Sequence, residues 1–130
     1  MLAKFMPINE IPTVNAWWVE RGDGAMAKGV LPPCGVLVYD DGAPVAAAWM
    51  YEPHACAVVM IDWLVTKPGL SANDAREACR MAIRFLCDHA RNTGKQFIFV
   101  STLRPGMTRE AKACGFTVAA TECTHLTLAL

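Results

Sequence analysis

The chain has 130 residues, 54% of them apolar and 18% charged, and its twelve basic residues are balanced by twelve acidic ones. That length suits one domain, 1–130, with a real hydrophobic core, and the composition excludes a disordered chain. No basic field is present to attract nucleic acid or an anionic membrane, no apolar run reaches the length of a membrane span, and Pro7 and Asn9 interrupt the N-terminus too early for a signal peptide.

The six cysteines stand at positions 34, 56, 79, 87, 114 and 123, without a C-x-x-C pair. Only His54 lies near one, at Cys56, which is too sparse a pattern for a zinc site read along the chain. They are expected to be free thiols packed as small hydrophobes in a reducing, cytoplasmic compartment.

In chain order, Lys4 to Ile8 reads as a short strand. Ile11 to Arg21 carries Ile11, Val14, Trp17 and Trp18 at helical spacing, with Pro12 tolerated in the first turn and Gly22-Asp23-Gly24 as the stop. Neighbours on a helix diverge by about 100°. Trp17 and Trp18 are therefore not expected to share one core, and one of them is expected to line a cleft or a dimer contact. Gly35 to Tyr39 and Ala43 to Tyr51 flank Asp40-Asp41-Gly42, a hairpin with an Asp-Gly turn. Glu52-Pro53-His54 forms the next turn.

Val58 to Val65 is an almost continuous apolar run rich in β-branched residues, expected to be a strand covered on both faces. Pro68 and Gly69 end it. Ser71 then stands as a helix N-cap with Asp74 three residues on, a capping-box-like pair. Ala75, Ala78, Cys79, Ala82, Phe85, Leu86 and Ala90 mark one face of a long helix that stops before Gly94. Gln96 to Thr102 is a further strand, parallel to the preceding one because a helix connects them. Thr108 to Cys114 is a short helix, and Phe116–Ala120 with Thr124–Leu130 reads as a terminal hairpin. The order β-α-β-β-β-α-β-α-β-β predicts an α/β fold with a mixed, mostly antiparallel sheet flanked by helices.

This order resembles the GNAT superfamily of acyl-CoA-dependent N-acetyltransferases over nearly the whole chain. The hairpin around Val36–Ala47, the segment Asp62-Trp63-Leu64-Val65-Thr66-Lys67-Pro68 before a long helix, and Ala111-Lys112-Ala113-Cys114-Gly115-Phe116 carry the likeness. Trp17-Trp18, Leu31-Pro32-Pro33 with Gly35, and Ile61-Asp62-Trp63 also resemble a small phage- and prophage-associated branch. The resemblance implies acetyl-CoA as acyl donor and a small-molecule or protein amine as acceptor. It implies a carbonyl-binding strand amide near Leu64 or Val65, a pyrophosphate turn over Leu70-Ser71-Ala72-Asn73-Asp74-Ala75 followed by Arg76, and a pantetheine contact at Ser101.

Departures from the family pattern are plain. The turn motif Gln/Arg-x-x-Gly-x-Gly/Ala has Leu70 for its basic residue and Asn73 for its central glycine, and only Ala75 fits. A Cβ at position 73 narrows the approach of phosphate to backbone. Asp74 repels a phosphate, and Ser71 with Asp74 competes for the same N–H groups. The tyrosine that protonates the leaving thiolate in many members is replaced by Ala111.

Asp62 is the first candidate base, because it is the only charged residue in an apolar strand. A purely structural, hydrogen-bonded role is the plain alternative. Glu52 and His54, in the turn before that strand, are the second candidates. Two functions follow: an N-acetyltransferase, or a GNAT-fold interaction or structural protein that has lost cofactor binding. A third reading is a binding module for another small ligand in the same cleft. The apolar terminal segment further suggests pairing with a second copy as a homodimer.

Overall fold

In the computed structural model, which describes residues 1–27 and 29–130, the sheet is built from a meander and one crossover. The elements are β1 (Leu2–Phe5), a 3₁₀ turn (Ile8–Glu10), α1 (Ile11–Glu20), β2 (Cys34–Asp40), β3 (Ala43–Tyr51), β4 (Val58–Thr66), α2 (Ala72–Asn92), β5 (Phe97–Val100) and α3 (Pro105–Ala113). The strands lie in the order β1-β2-β3-β4-β5. All pairs are antiparallel except β4 with β5, which α2 connects in parallel. This is the expected mixed, mostly antiparallel sheet flanked by helices. The β2–β3 turn places Asp41 at φ 45° and Gly42 at φ 78°, the paired positive angles that match the twist of a tight hairpin.

Each face of the sheet buries one core. On one side, α2 sets Ala78, Ala82, Ile83 and Leu86 against Val36, Val38, Ala48, Met50, Val59 and Ile61. On the other, α1 sets Val14, Trp17 and Trp18 against Leu37, Ala47, Trp49 and Val65. Both tandem tryptophans are buried in this one core, at 5% and 4% exposure, which corrects the expectation that they do not share it, although Trp18 also borders the opening beside β4. Val14, Trp17 and Trp18 stand at i, i+3 and i+4, and the apolar stripe of a surface helix is wide enough to hold all three. Trp18 stacks at a tilt on Trp49, with ring centroids 5.6 Å apart.

The terminal hairpin expected over Phe116–Ala120 and Thr124–Leu130 is absent. Residues 116–130 adopt neither helix nor strand, and Leu126, Leu128 and Leu130 are exposed. Alternating apolar residues give a local strand signal, but a strand forms only by pairing with a partner. The adjacent edge strand β5 has four residues, and its Phe97 and Phe99 remain 63% and 55% exposed.

Among the glycines, Gly35 is the most closely packed, against residues of the α1-side core. It lies opposite Trp49 in the β2–β3 register, and a Cβ on Gly35 would stand 2.6 Å from Trp49 Nε1 and 3.0 Å from the Met6 Cβ. The indole is fully buried and cannot swing away cheaply. Gly35→Ala is expected to lower the unfolding free energy by about 1–3 kcal/mol, read as an earlier urea midpoint with an unchanged slope.

Candidate active-site cleft

The cleft begins where two strands part. β5 pairs with β4 only from Val58 to Ile61, so among the described residues β4 has no strand partner on that side from Asp62 to Thr66. On its other side the β3 register jumps: Trp49 faces Asp62 and Ala47 faces Val65, which leaves an extra residue in β4. This is a β-bulge, and Trp63 sits in it with φ 58°.

The bulge reverses the parity of the strand. In a regular strand Val59, Ile61, Trp63 and Val65 would share one face. Here Val59 and Ile61 pack on the α2 side, whereas Trp63 and Val65 pack on the α1 side. The expectation that both faces of the strand are covered therefore needs correcting. Met60 is 37% exposed and Asp62 is half-buried, because this part of the strand borders an opening.

That opening is a cleft of about 890 Å³ between β4, the start of α2, the loop after β5, and α3. Asp62, Leu64, Val65, Ala72, Ala75, Arg76 and Ser101 all line it. Asp62 Oδ1 accepts a hydrogen bond of 2.7 Å from the Trp63 N–H, so the carboxylate braces the bulge and keeps its second oxygen for other partners. Trp63 Nε1 donates to the Tyr51 hydroxyl at 2.8 Å, which fixes the ring.

At the start of α2 the capping box forms as expected. Ser71 Oγ accepts from the Asp74 N–H at 3.1 Å and donates to Asp74 Oδ2 at 2.6 Å. Asn73 does not line the cleft. It lies in a shallow surface depression with Glu77, Arg80 and Arg84. Glu52 also lies outside the cleft, beyond the end of β3, where its carboxylate meets His89 Nε2 at 2.7 Å.

Sequence reasoning passed over three residues of the cleft. Arg21, just past α1, donates to the carbonyl and hydroxyl of Thr66 at 2.8 Å and pins the free end of β4. Cys79 projects from α2; burial first, and then the nearby Glu110 carboxylate, push its thiol up to about 11. At neutral pH it is a protonated thiol and not a thiolate nucleophile. Glu110 is buried at 3% exposure and is held by Arg80 Nε at 2.5 Å and Arg109 Nε at 2.8 Å. Arg109 is its neighbour in sequence, but Arg80 lies thirty residues away on α2, so no local pattern marks the whole cluster.

No protein-family profile and no curated protein matches the sequence. Solved structures do match the fold. A putative acetyltransferase from Agrobacterium tumefaciens str. C58 superposes with a TM-score of 0.69 at 16% identity, over 98% of this chain and all of that one. TTHA1254 from Thermus thermophilus gives 0.73 at 14% identity, over 100% of this chain and 99% of that one. The aminoglycoside N-acetyltransferase AAC(6')-Iy in complex with CoA gives 0.65 at 14%, over 98% and 100%. The chain thus has the GNAT-like fold, which these acetyltransferase structures share with it. At such identities the likeness is one of fold.

Burial drives the Glu110 pKa up, but hydrogen bonds from Arg109 and Arg80, with the two positive charges, outweigh it and hold the carboxyl below the usual range. A depressed folded pKa contributes stability that is present above the unfolded value, about 4.3, and is lost as pH falls through the folded one. Glu110→Gln is expected to lower the unfolding free energy by about 1–2 kcal/mol at pH 7, with half-exposed arginines softening the loss. The gap to the unmodified protein should close in urea titrations run well below pH 4.

Proposed function

We propose that the cleft binds acetyl-CoA and that the protein is an N-acetyltransferase acting on a small-molecule or protein amine. The observation that carries this reading is the parted stretch of β4. Beyond Ile61 it offers an unladdered backbone edge on its β5 side, to which an extended amide-bearing arm can add as a strand would. Leu64 and Val65 line the cleft directly after the bulge at Trp63, and a backbone N–H there would be suited to polarise a thioester carbonyl. Ser101 closes the opposite wall, and Ala72, Ala75 and Arg76 line the end where a pyrophosphate would rest.

In this reading Asp62 takes the proton from the acceptor ammonium, and the freed amine nitrogen attacks the thioester carbon. A C–N bond forms, the C–S bond breaks, the nitrogen gives its second proton to solvent, and the thiolate takes one from solvent, since Ala111 supplies no acid. The protonated thiol of Cys79 favours direct transfer over an acyl-cysteine route. The CoA-bound relative supports the donor, and its name as an aminoglycoside N-acetyltransferase supports an amine acceptor.

A second reading, a GNAT-fold interaction or structural protein without cofactor chemistry, is favoured by one observation. The Ser71–Asp74 closure occupies the N-cap of α2 and adds a carboxylate to the first turn that a pyrophosphate would meet. The open β5 edge and the exposed leucines of residues 116–130 support a homodimer in either reading. Free thiols at all six cysteines fit a reducing, cytoplasmic setting.

Calorimetry with acetyl-CoA separates the two readings. The wild-type protein is expected to bind, and Asp74→Ala to bind about 3- to 10-fold more tightly once the like charge is gone. Asp62→Asn is expected to bind equally well and to lose about 10²–10⁴ in kcat on any amine that the wild type accepts. Binding seen only in a variant lacking the Asp74 carboxylate would overturn the enzyme reading in favour of the second.

A further inference from the structure

Three unlike donor groups meet where β2 begins and β3 ends. Cys34 opens β2, Glu52 follows the last residue of β3, and His89 lies near the end of α2. The Cys34 thiol sulfur, a Glu52 carboxylate oxygen and a His89 ring nitrogen all lie within 4.8 Å of one another. The His89 and Glu52 side chains are 23% and 31% exposed, so solvent reaches them while packing limits their motion. The Phe5 ring stands edge-on to the imidazole, with centroids 5.2 Å apart, and also against Phe85 at 5.0 Å. Fourteen helical residues, about 21 Å, separate His89 from Ala75 in the cleft wall.

We propose that Cys34, Glu52 and His89 form a zinc site with three protein ligands. Thiolate, imidazole and carboxylate are the donor types zinc takes, in a set that softer or harder ions match less well. Zinc bonds of about 2.0–2.3 Å place tetrahedral donors roughly 3.3–3.8 Å apart. The present spacing needs a small closure toward the sulfur, and the 2.7 Å Glu52–His89 contact opens as both groups turn to the ion. On binding, the Cys34 thiol releases its proton to solvent and an S–Zn bond forms. His89 coordinates as neutral imidazole, and Glu52 brings the second negative charge. No electron moves. Three ligands leave a fourth position for water or an incoming donor. The ion ties the start of β2, the end of β3 and the last turns of α2 into one unit.

Cobalt serves as the optical probe and zinc as its competitor, on the full chain kept reduced. One equivalent of Co²⁺ is expected to give a thiolate-to-cobalt charge-transfer band that zinc abolishes. Cys34→Ser should remove the band, and His89→Gln should weaken affinity at least tenfold. Glu52→Gln, at a partly exposed position, should weaken it while leaving the unliganded fold intact by circular dichroism. A Cys56→Ser, Cys123→Ser double variant, lacking the two exposed thiols, should keep the band unchanged. The proposal is overturned if the wild type gives no band, if the band survives Cys34→Ser, or if it disappears in the double variant.

Discussion

Trp63 holds a backbone angle that side-chain-bearing residues seldom adopt, and the shape of the cleft depends on it. Such a conformation costs about 1–3 kcal/mol and persists only where its surroundings over-determine it. Here three things do so. The Asp62 carboxylate takes the Trp63 N–H, the Tyr51 hydroxyl takes the indole N–H, and Arg21 fixes Thr66 at the end of the same strand. The bulge moves Trp63 and Val65 to the α1 core, and it lies just beyond Ile61, where the pairing of β4 with β5 ends.

Asp62 therefore has a place in both the structure and the proposed chemistry. It is the residue before the bulge, braced against its own chain, with the cleft in front of it. A base held in this way keeps a fixed position, which is what proton transfer to an aligned group requires. Helices α2 and α3 supply Arg76, Cys79, Arg109 and the buried Glu110 to the same cleft. The two ends of the sheet are thus chemically distinct: a parted strand and a carboxylate at one, and a thiol, imidazole and carboxylate at the other.

Much of this fold was legible in the sequence. The Asp-Gly hairpin, the Ser71 cap and the apolar stripe of α2 are local signals, and each forms as read. Asp62, Leu64, Val65, Ala72, Ala75, Arg76 and Ser101 line one cleft, whereas Ser71, Asn73 and Glu52 do not line it. What escaped was non-local. Asp62-Trp63-Leu64 reads as an unbroken strand, and only the cross-strand register exposes the extra residue. Glu110 is defined by an arginine on another helix, and Glu52 by a histidine thirty-seven positions on. The terminal segment has the alternation of a strand but finds no partner along β5.

The most direct measurement is the backbone amide spectrum of the isotopically labelled protein during titration with acetyl-CoA. The account predicts that the largest shifts fall on Asp62 to Thr66, with Ala72, Ala75, Arg76 and Ser101 following at the same ligand concentrations. Residues around Cys34 and His89 should stay in place. A spectrum that does not change, or one that changes only away from the parted stretch of β4, would contradict it.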